Sequence, residues 1–127
     1  MQAGIKGMLT KNVESHESAK LMGSGLLDVY ATPCLVAFVE KTCWFSISEY
    51  LEEGQTTVGT KMEIAHLKAT PLGMEVSCTS ELVEVDRKRL VFSFEVRDEI
   101  DLISKGVHER FIVEADKFQK VTDEKFK

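Results

Sequence analysis

The feature that most limits the possible folds of this chain is one long apolar segment, residues 33–47, followed only by strand-like sequence. Thr32 and Pro33 are typical of a helix start, with Thr32 as the N-cap and Pro33 in the first turn. The helix is predicted to run to about residue 50 or 51, before a stop at Gly54. Because the segment is apolar almost all round, the helix has to be buried on more than one side.

After this helix, the hydrophobic pattern changes to the two-residue period of strands. The first strand begins near Thr56, and alternation places five of its residues on one inward face: Val58, Thr60, Met62, Ile64 and His66. Residues 70–73 form a predicted turn, and further strands are predicted at 74–85, 90–96 and 102–115. One helix and an antiparallel meander make an α+β domain in which the sheet has to cover the helix, because nothing else in the chain can.

The two ends of the chain carry weaker signals. Residues 4–13 are compatible with a first strand, and residues 15–25 are interpreted as a mobile connection. The tail after Asp116 is charged and is predicted to fray. A length of 127 residues with 43% hydrophobic content suits one core, so we predict a single domain over residues 1–127, with 117–127 as its tail.

Composition excludes several classes of function. The formal charge of −5, without basic runs, argues against binding to nucleic acid or to anionic membranes. No segment has the apolar length of a membrane span and the N-terminus lacks a signal-peptide core, so we expect a cytoplasmic protein. Cys34, Cys43 and Cys78 lack CxxC spacing, which fits reduced thiols. The three histidines lie far apart in no ligand-spaced motif, so no metal site is expected.

Glu40 and His66 depart from the apolar pattern. Glu40 shares a helical stripe with Val36, Cys43 and Ile47, and burial of an unpaired carboxylate costs on the order of several kcal/mol, so it has to be protonated, paired or kept for chemistry. His66 lies on the inward face at a strand end. A lone inward histidine is more often a satisfied core residue than a catalyst. A histidine and a glutamate that meet over one helix favour an acid/base pair instead.

Five motifs carry a family resemblance: Val29-Tyr-Ala-Thr32, Glu40, Thr57-Val-Gly-Thr60, His66-Leu-Lys-Ala-Thr-Pro-Leu-Gly73 and Gly106-Val-His-Glu-Arg110. In order and spacing, residues 22–118 resemble the fluoroacetyl-CoA thioesterase-like branch of the hotdog-fold acyl-CoA thioesterases. The resemblance implies a long helix wrapped by a bent antiparallel sheet, in a homodimer with active sites near the subunit interface. It also implies hydrolysis of a thioester without a metal or a cofactor, since coenzyme A is part of the substrate.

The resemblance also assigns roles to residues. Thr32, Glu40 and His66 match the catalytic threonine, glutamate and histidine, Gly59 matches a substrate-contacting glycine, and Arg110 matches an active-site arginine. Glu40 then attacks the carbonyl or acts as a base on water, and the sequence does not choose between them.

The residues by themselves leave other interpretations open. Thr32 can be an N-cap only, and Gly59 can mark a bulge in its strand. Arg110 is either solvent-exposed or in contact with an anionic group of coenzyme A. Cys34 offers a Cys–His alternative to the glutamate, although a small core filler is the simpler interpretation. His108 is predicted to lie on the surface.

Two departures from the family pattern concern the substrate. Members specialised for fluoroacetyl-CoA carry phenylalanines in a lid before the catalytic threonine, whereas this chain has Gly23 and Leu26 there. Pro33-Cys34 replaces the Gly-Phe that follows the threonine. We therefore expect a short or medium acyl-CoA, with Leu26 among the substrate-binding residues. Two other functions stay open, a hotdog hydratase or dehydratase and a non-catalytic binder of CoA esters.

Overall fold

The computed structural model describes residues 1–126 as a five-stranded antiparallel sheet with three α-helices. The strands are β1 (Lys6–Asn12), β2 (Gln55–His66), β3 (Glu75–Asp86), β4 (Arg89–Arg97) and β5 (Leu102–Glu114). The helices are α1 (Ala19–Met22), α2 (Thr32–Ile47) and α3 (Ala115–Asp123), with 3-10 turns at Ser15–Glu17, Ser48–Tyr50 and Glu124–Phe126.

The strand order is β1-β3-β4-β5-β2, so only β3, β4 and β5 form a meander. The consecutive meander expected from the sequence is wrong for β2, which pairs with β5 and not with β3. Residues 67–74 do not close a hairpin; the segment before α2 holds them, with Tyr30 N donating to Thr70 O at 2.9 Å. The order leaves β1 and β2 as the two edges of the sheet, with unpaired backbone groups along each.

α2 lies against the sheet, chiefly against β1 and β3, and this confirms the predicted α+β class. Its buried side chains join those of the strands in one core, which includes Leu35, Val39, Cys43, Ile47, Leu82, Phe92, Val96 and Ile103. Gly7 allows β1 to approach the helix, because a Cβ there would lie 2.5 Å from Ser46 Cβ. With its 3-10 extension, the helix reaches Tyr50, as predicted.

The segment before α2 and the C-terminal tail are more ordered than expected. Residues 15–22 form a 3-10 turn and α1, where Ser18 Oγ accepts from Leu21 N at 3.1 Å, and Gly23 ends the helix with φ of 74°. The tail, predicted to fray, forms α3, whose apolar side chains Phe118 and Val121 are exposed. No helix within residues 1–126 is long and apolar enough to cross a membrane.

Gly106 offers a test of the sheet, because it pairs with Ile64 on β2 and with Phe94 on β4. A Cβ at Gly106 would lie 1.9 Å from the carbonyl oxygen of Glu63 and 2.9 Å from Phe94 Cζ. We expect Gly106→Ala to lower the free energy of unfolding by about 1–3 kcal/mol or more, since strand backbones have to separate. Urea unfolding measures this change.

Gly25→Ala is the matched control, because its Cβ would meet only Ala19 Cβ, at 3.3 Å. It should change stability by less than about 0.5 kcal/mol. Equal stability of the two variants would contradict the close β2–β5 approach.

Candidate active site

A bulge in β2 decides which residues of this strand face α2. Gly59 pairs with Arg110 and Lys61 pairs with Glu109, so Thr60 is an extra residue in the strand. The expected inward face is therefore wrong before the bulge, where Thr57 is buried and Thr60 is exposed, and correct after it for Met62, Ile64 and His66. Alternation in sequence cannot be carried through an inserted residue.

Glu40 lies beside Gly59 and is half-exposed, with 40% of its side chain accessible, rather than buried as the sequence suggested. Its Oε2 accepts from Arg110 Nη1 at 3.4 Å. A Cβ on Gly59 would lie 2.7 Å from the same oxygen. The glycine at the bulge therefore provides the space that this carboxylate occupies, and the carboxylate has a cationic partner.

Arg110 is buried, with 6% exposure, and the alternative of a solvent-exposed arginine is wrong. Its Nε donates to Thr57 Oγ1 at 2.8 Å and its Nη2 donates to Thr57 O at 3.0 Å. Burial lowers the pKa of Arg110 from its usual value, while the charge of Glu40 acts in the opposite direction. Arginine stays protonated in proteins, so this group is a fixed cation beside Glu40.

His108 was predicted to lie on the surface, and that prediction is wrong. It is 1% exposed, hydrogen bonded through Nδ1 to Lys61 O at 2.7 Å and through Nε2 to Arg110 Nη1 at 3.1 Å. The pKa of His108 is lowered chiefly by burial. Its alternation with Arg110 along β5 was the signal that the two side chains share one face.

Thr32 and His66 form a second polar pair. Thr32 Oγ1 lies 2.8 Å from His66 Nδ1, and the N-cap of α2 is Ala31, so Thr32 is not the predicted cap. Burial lowers the pKa of His66, and an interaction with the Lys68 backbone offsets part of that effect. His66 Nε2 is buried without a hydrogen-bond partner among residues 1–126. Buried polar atoms are normally paired, so this nitrogen is suited to meet water, a substrate or another subunit.

Within one chain, the five residues matched to the family's site therefore form two separate clusters. Thr32 and His66 meet at the start of α2, whereas Glu40, Gly59 and Arg110 meet further along it. Thr32 and Glu40 are eight residues apart, which is about 12 Å along a helix axis. One chain does not assemble Thr32, Glu40 and His66 into a single triad.

The remaining candidates are not brought into these clusters. Leu26 is 90% exposed, and its assignment to substrate binding stays a prediction. Burial raises the pKa of the half-buried Cys34 thiol, so a thiolate nucleophile there is disfavoured. Within residues 1–126, no group of three His, Cys, Asp or Glu side chains is arranged to hold a metal ion.

Comparison with known proteins identifies the family. The model of the fluoroacetyl-CoA-specific thioesterase family matches residues 13–116. The chain belongs to this thioesterase family. It is 36% identical over 91 residues to a fluoroacetyl-CoA thioesterase from Streptantibioticus cattleyicolor, a match that covers 72% of this chain and 66%, or just under two thirds, of that protein.

Solved structures show that the thioesterase fold extends over more than nine tenths of the chain. A mutant of the fluoroacetyl-CoA-specific thioesterase FlK, in complex with fluoroacetate and CoA, is 30% identical, with a TM-score of 0.88 over 93% of this chain and 99% of that one. A thioesterase superfamily member from Thermus thermophilus is 25% identical, with a TM-score of 0.89 over 97% of this chain and 91% of the other. The chain therefore has the hotdog fold, as the resemblance implied.

The lowered pKa values of His66 and His108 predict a pH dependence of stability within this family member. The unfolded chain binds a proton at each histidine near pH 6.5, while the folded chain does so only at lower pH. We expect the free energy of unfolding to be fully maintained above about pH 6.5 and to fall as the pH decreases towards the folded pKa values. Urea unfolding between pH 7.5 and 5 measures it.

Replacement of His66 by Gln should flatten this pH dependence. His16→Gln, at an exposed position, is the matched control and should leave the slope unchanged. A slope that is the same in wild type and His66→Gln would contradict the assignment of part of the acid sensitivity to His66.

Proposed function

We propose that this protein is an acyl-CoA thioesterase that hydrolyses a short or medium acyl-CoA to the free acid and CoA. The observation that supports it is the pair of polar clusters, Glu40 held by Arg110 beside Gly59 and His66 held by Thr32, in a chain of a thioesterase family. Release of free thiol from a panel of acyl-CoAs tests it. Hydration of an enoyl-CoA without thiol release would favour a hydratase, and binding without turnover would favour a CoA-ester binder.

We further propose a homodimer in which β2 pairs with β2 of a second chain. β2 is an edge strand, and its free backbone groups are suited to antiparallel pairing. Residues directly opposite each other point to the same side of a sheet, so the two-fold axis has to pass at a residue position; if it passes at Glu63, the bulge at residues 59 and 60 of one chain lies opposite residue 66 of the other. Glu40, which touches Gly59, then lies beside the Thr32–His66 pair of the second chain. This register joins the two clusters into complete sites, two in each dimer.

The chemistry needs no metal, because a thioester has a good leaving group and requires only a nucleophile, a proton acceptor and oxyanion donors. In one route, the Glu40 carboxylate takes a proton from water as the water oxygen attacks the carbonyl carbon. In the other, Glu40 itself attacks and forms an anhydride that water then hydrolyses. In both, the C–S bond breaks and the thiolate leaves; the proton that it takes up comes from the attacking water and is passed on by His66, which accepts one proton as it donates another.

Backbone groups at the start of α2 complete the proposed site. The first N–H groups of a helix have no partner within it, and they lie at the positive end of the helix dipole. They are suited to hold the oxyanion of the tetrahedral intermediate, close to Thr32 at the first position of α2. Thr32 orients the His66 ring through its hydrogen bond to Nδ1.

An isotope label identifies an anhydride that water opens at the carbonyl of Glu40. In a single turnover in H₂¹⁸O, direct attack by water leaves Glu40 unlabelled and places ¹⁸O in the released acid. Hydrolysis of an anhydride at the carboxylate of Glu40 places the label on Glu40 instead. Mass spectrometry of the peptide that contains Glu40 reads out the result.

A cytoplasmic location is part of the same proposal. The described structure holds Cys34, Cys43 and Cys78 as free thiols, which is the usual state in a reducing compartment.

The site predicts the effect of two substitutions. Glu40→Gln and His66→Ala should each lower kcat/KM for thioester hydrolysis by at least roughly 100-fold, the usual scale for loss of an acid/base group, while the fold is retained. Co-refolding the two inactive variants in equal amounts should restore about a quarter of wild-type activity. Half of the dimers are then mixed, and each mixed dimer holds one intact site out of two.

Co-refolded His66→Ala and Thr32→Ala variants are the matched control. Both lesions lie in the cluster at the start of α2, so no mixed dimer has an intact site and no activity should return. Wild-type rates in the single variants would contradict the catalytic assignment. An absence of recovery for Glu40→Gln with His66→Ala would contradict the shared site.

Residues 22–28, which correspond to the lid of the fluoroacetyl-specific members, predict the substrate selectivity. Gly23 and Leu26 replace the aromatic residues of the fluoroacetyl-specific members, and Leu26 is exposed. Without a tight gate, one small substituent changes kcat/KM by no more than roughly 200-fold, so fluoroacetyl-CoA and acetyl-CoA should stay within that range, and butyryl-CoA should be accepted as well. A preference of many thousand-fold for fluoroacetyl-CoA would show that selectivity does not depend on those aromatic residues.

A further inference from the structure

His108 lies next to the proposed catalytic cluster, and no step of the proposed reaction uses it. It is buried on β5, and its ring packs against Phe92, with centroids 6.4 Å apart and an interplanar angle of 29°. Both of its ring nitrogens have a partner: the carbonyl of Lys61 for Nδ1 and the guanidinium of Arg110 for Nε2. A leucine would fill the same space but would make neither hydrogen bond. The two bonds therefore indicate that this position uses the imidazole ring and not only its volume.

The two partners require the same form of the ring. The carbonyl oxygen of Lys61 only accepts, so Nδ1 carries a hydrogen and donates it over 2.7 Å. The guanidinium of Arg110 only donates, so Nε2 has to be unprotonated and accepts over 3.1 Å. His108 is therefore the neutral Nδ1–H tautomer. Its lowered pKa, caused first by burial and also by the charge of Arg110, agrees with this form.

The bulge in β2 supplies one of these partners. Because Thr60 is the extra residue, Lys61 pairs with Glu109 and its carbonyl oxygen lies at His108 Nδ1. Thr60 Oγ1 donates to Glu109 O at 3.2 Å and holds the bulge against β5. The same irregularity that makes space for Glu40 at Gly59 thus also sets the His108 ring.

Arg110 depends on His108 for one of its contacts at Nη1. Its other nitrogens are held by Thr57, and Nη1 alone reaches both His108 Nε2, at 3.1 Å, and Glu40 Oε2, at 3.4 Å. The contact to Glu40 is the longest of the set and uses one oxygen. The two nitrogens held by Thr57 leave the rigid guanidinium free only to turn about the line through them, and the contact of Nη1 with His108 Nε2 fixes that turn beside Glu40.

We propose that His108 is a positioning residue that acts through Arg110: as a neutral Nδ1–H ring fixed by the Lys61 carbonyl, it holds Nη1 of Arg110 against the Glu40 carboxylate. This inference rests on the proposed thioesterase function. His108 does not touch the reacting atoms. It keeps the guanidinium of Arg110 in the orientation in which Nη1 contacts Glu40.

Two amide substitutions separate the two hydrogen bonds of His108. Asparagine places its amide at the position of Nδ1 and keeps the donation to Lys61 O, but it ends short of Arg110. Glutamine places its carbonyl oxygen at the position of Nε2 and keeps the acceptor for Arg110. We expect His108→Asn to lower kcat roughly 10–100-fold with KM changed by less than about 3-fold, and His108→Gln to retain kcat within about 3-fold.

The same substitution in a second background tests whether the effect passes through Arg110. In an Arg110→Met variant, which lacks the guanidinium, adding His108→Asn should lower kcat by less than about 3-fold. Equal losses for His108→Asn and His108→Gln, unchanged kcat in His108→Asn, or the full loss repeated in the Arg110→Met background would each overturn the proposal.

The tautomer is measured independently of activity. In ¹⁵N NMR spectra of wild type labelled at histidine, His108 should show the neutral Nδ1–H form at pH 7, and an Nε2–H or doubly protonated ring would overturn the proposal even if a variant fails to fold. If wild type hydrolyses acyl-CoAs and the variants do not respond as expected, only this inference fails. If wild type releases no thiol from any acyl-CoA, the proposed function fails, and the spectra still test the contact to Arg110.

Discussion

The buried guanidinium of Arg110 is the group on which the arrangement of the site depends. A cation with five N–H donors is costly to bury unless acceptors surround it, and in this chain Thr57, His108 and Glu40 provide them. Those acceptors come from β2, β5 and α2, so one charge ties together the edge of the sheet and the central helix. The position of Glu40 follows from this cation rather than from the apolar stripe in which Glu40 occurs.

The second constraint is the division of the polar residues along α2. The helix separates Thr32 from Glu40 by more than two turns, so no rotation of side chains brings His66 and Glu40 of one chain together. The strand that carries both Gly59 and His66 is an edge of the sheet. A protein with this layout is suited to complete its chemistry across two-fold symmetry, and the same pairing would cover an otherwise exposed row of backbone groups.

Most of the fold was predictable, because local patterns determine it. Apolar residues all round one helix, followed by segments of period two, predicted α2 and the four strands after it to within one or two residues, and an α+β domain with the sheet over the helix. The failures are non-local. β2 pairs with β5 and not with its neighbour in sequence. Segment 15–22 is held by backbone hydrogen bonds to residues 27–31 and by the Ser18 cap, and α3 begins where Ala115 N donates to Gly54 O.

For the site, the sequence by itself determined which residue types were available: an acid at Glu40 in an apolar helix, a histidine at a strand end, and an arginine within a family motif. Only the tertiary structure decided their partners. The inserted Thr60 reverses the alternation of β2, which turns Gly59 towards Glu40 and the Lys61 carbonyl towards His108. Such a bulge has no periodic signature, and pairing between strands brings together residues such as Thr57 and Arg110 that are 53 positions apart. The identities of single residues therefore indicate the chemistry, while the register between strands determines how the groups are arranged.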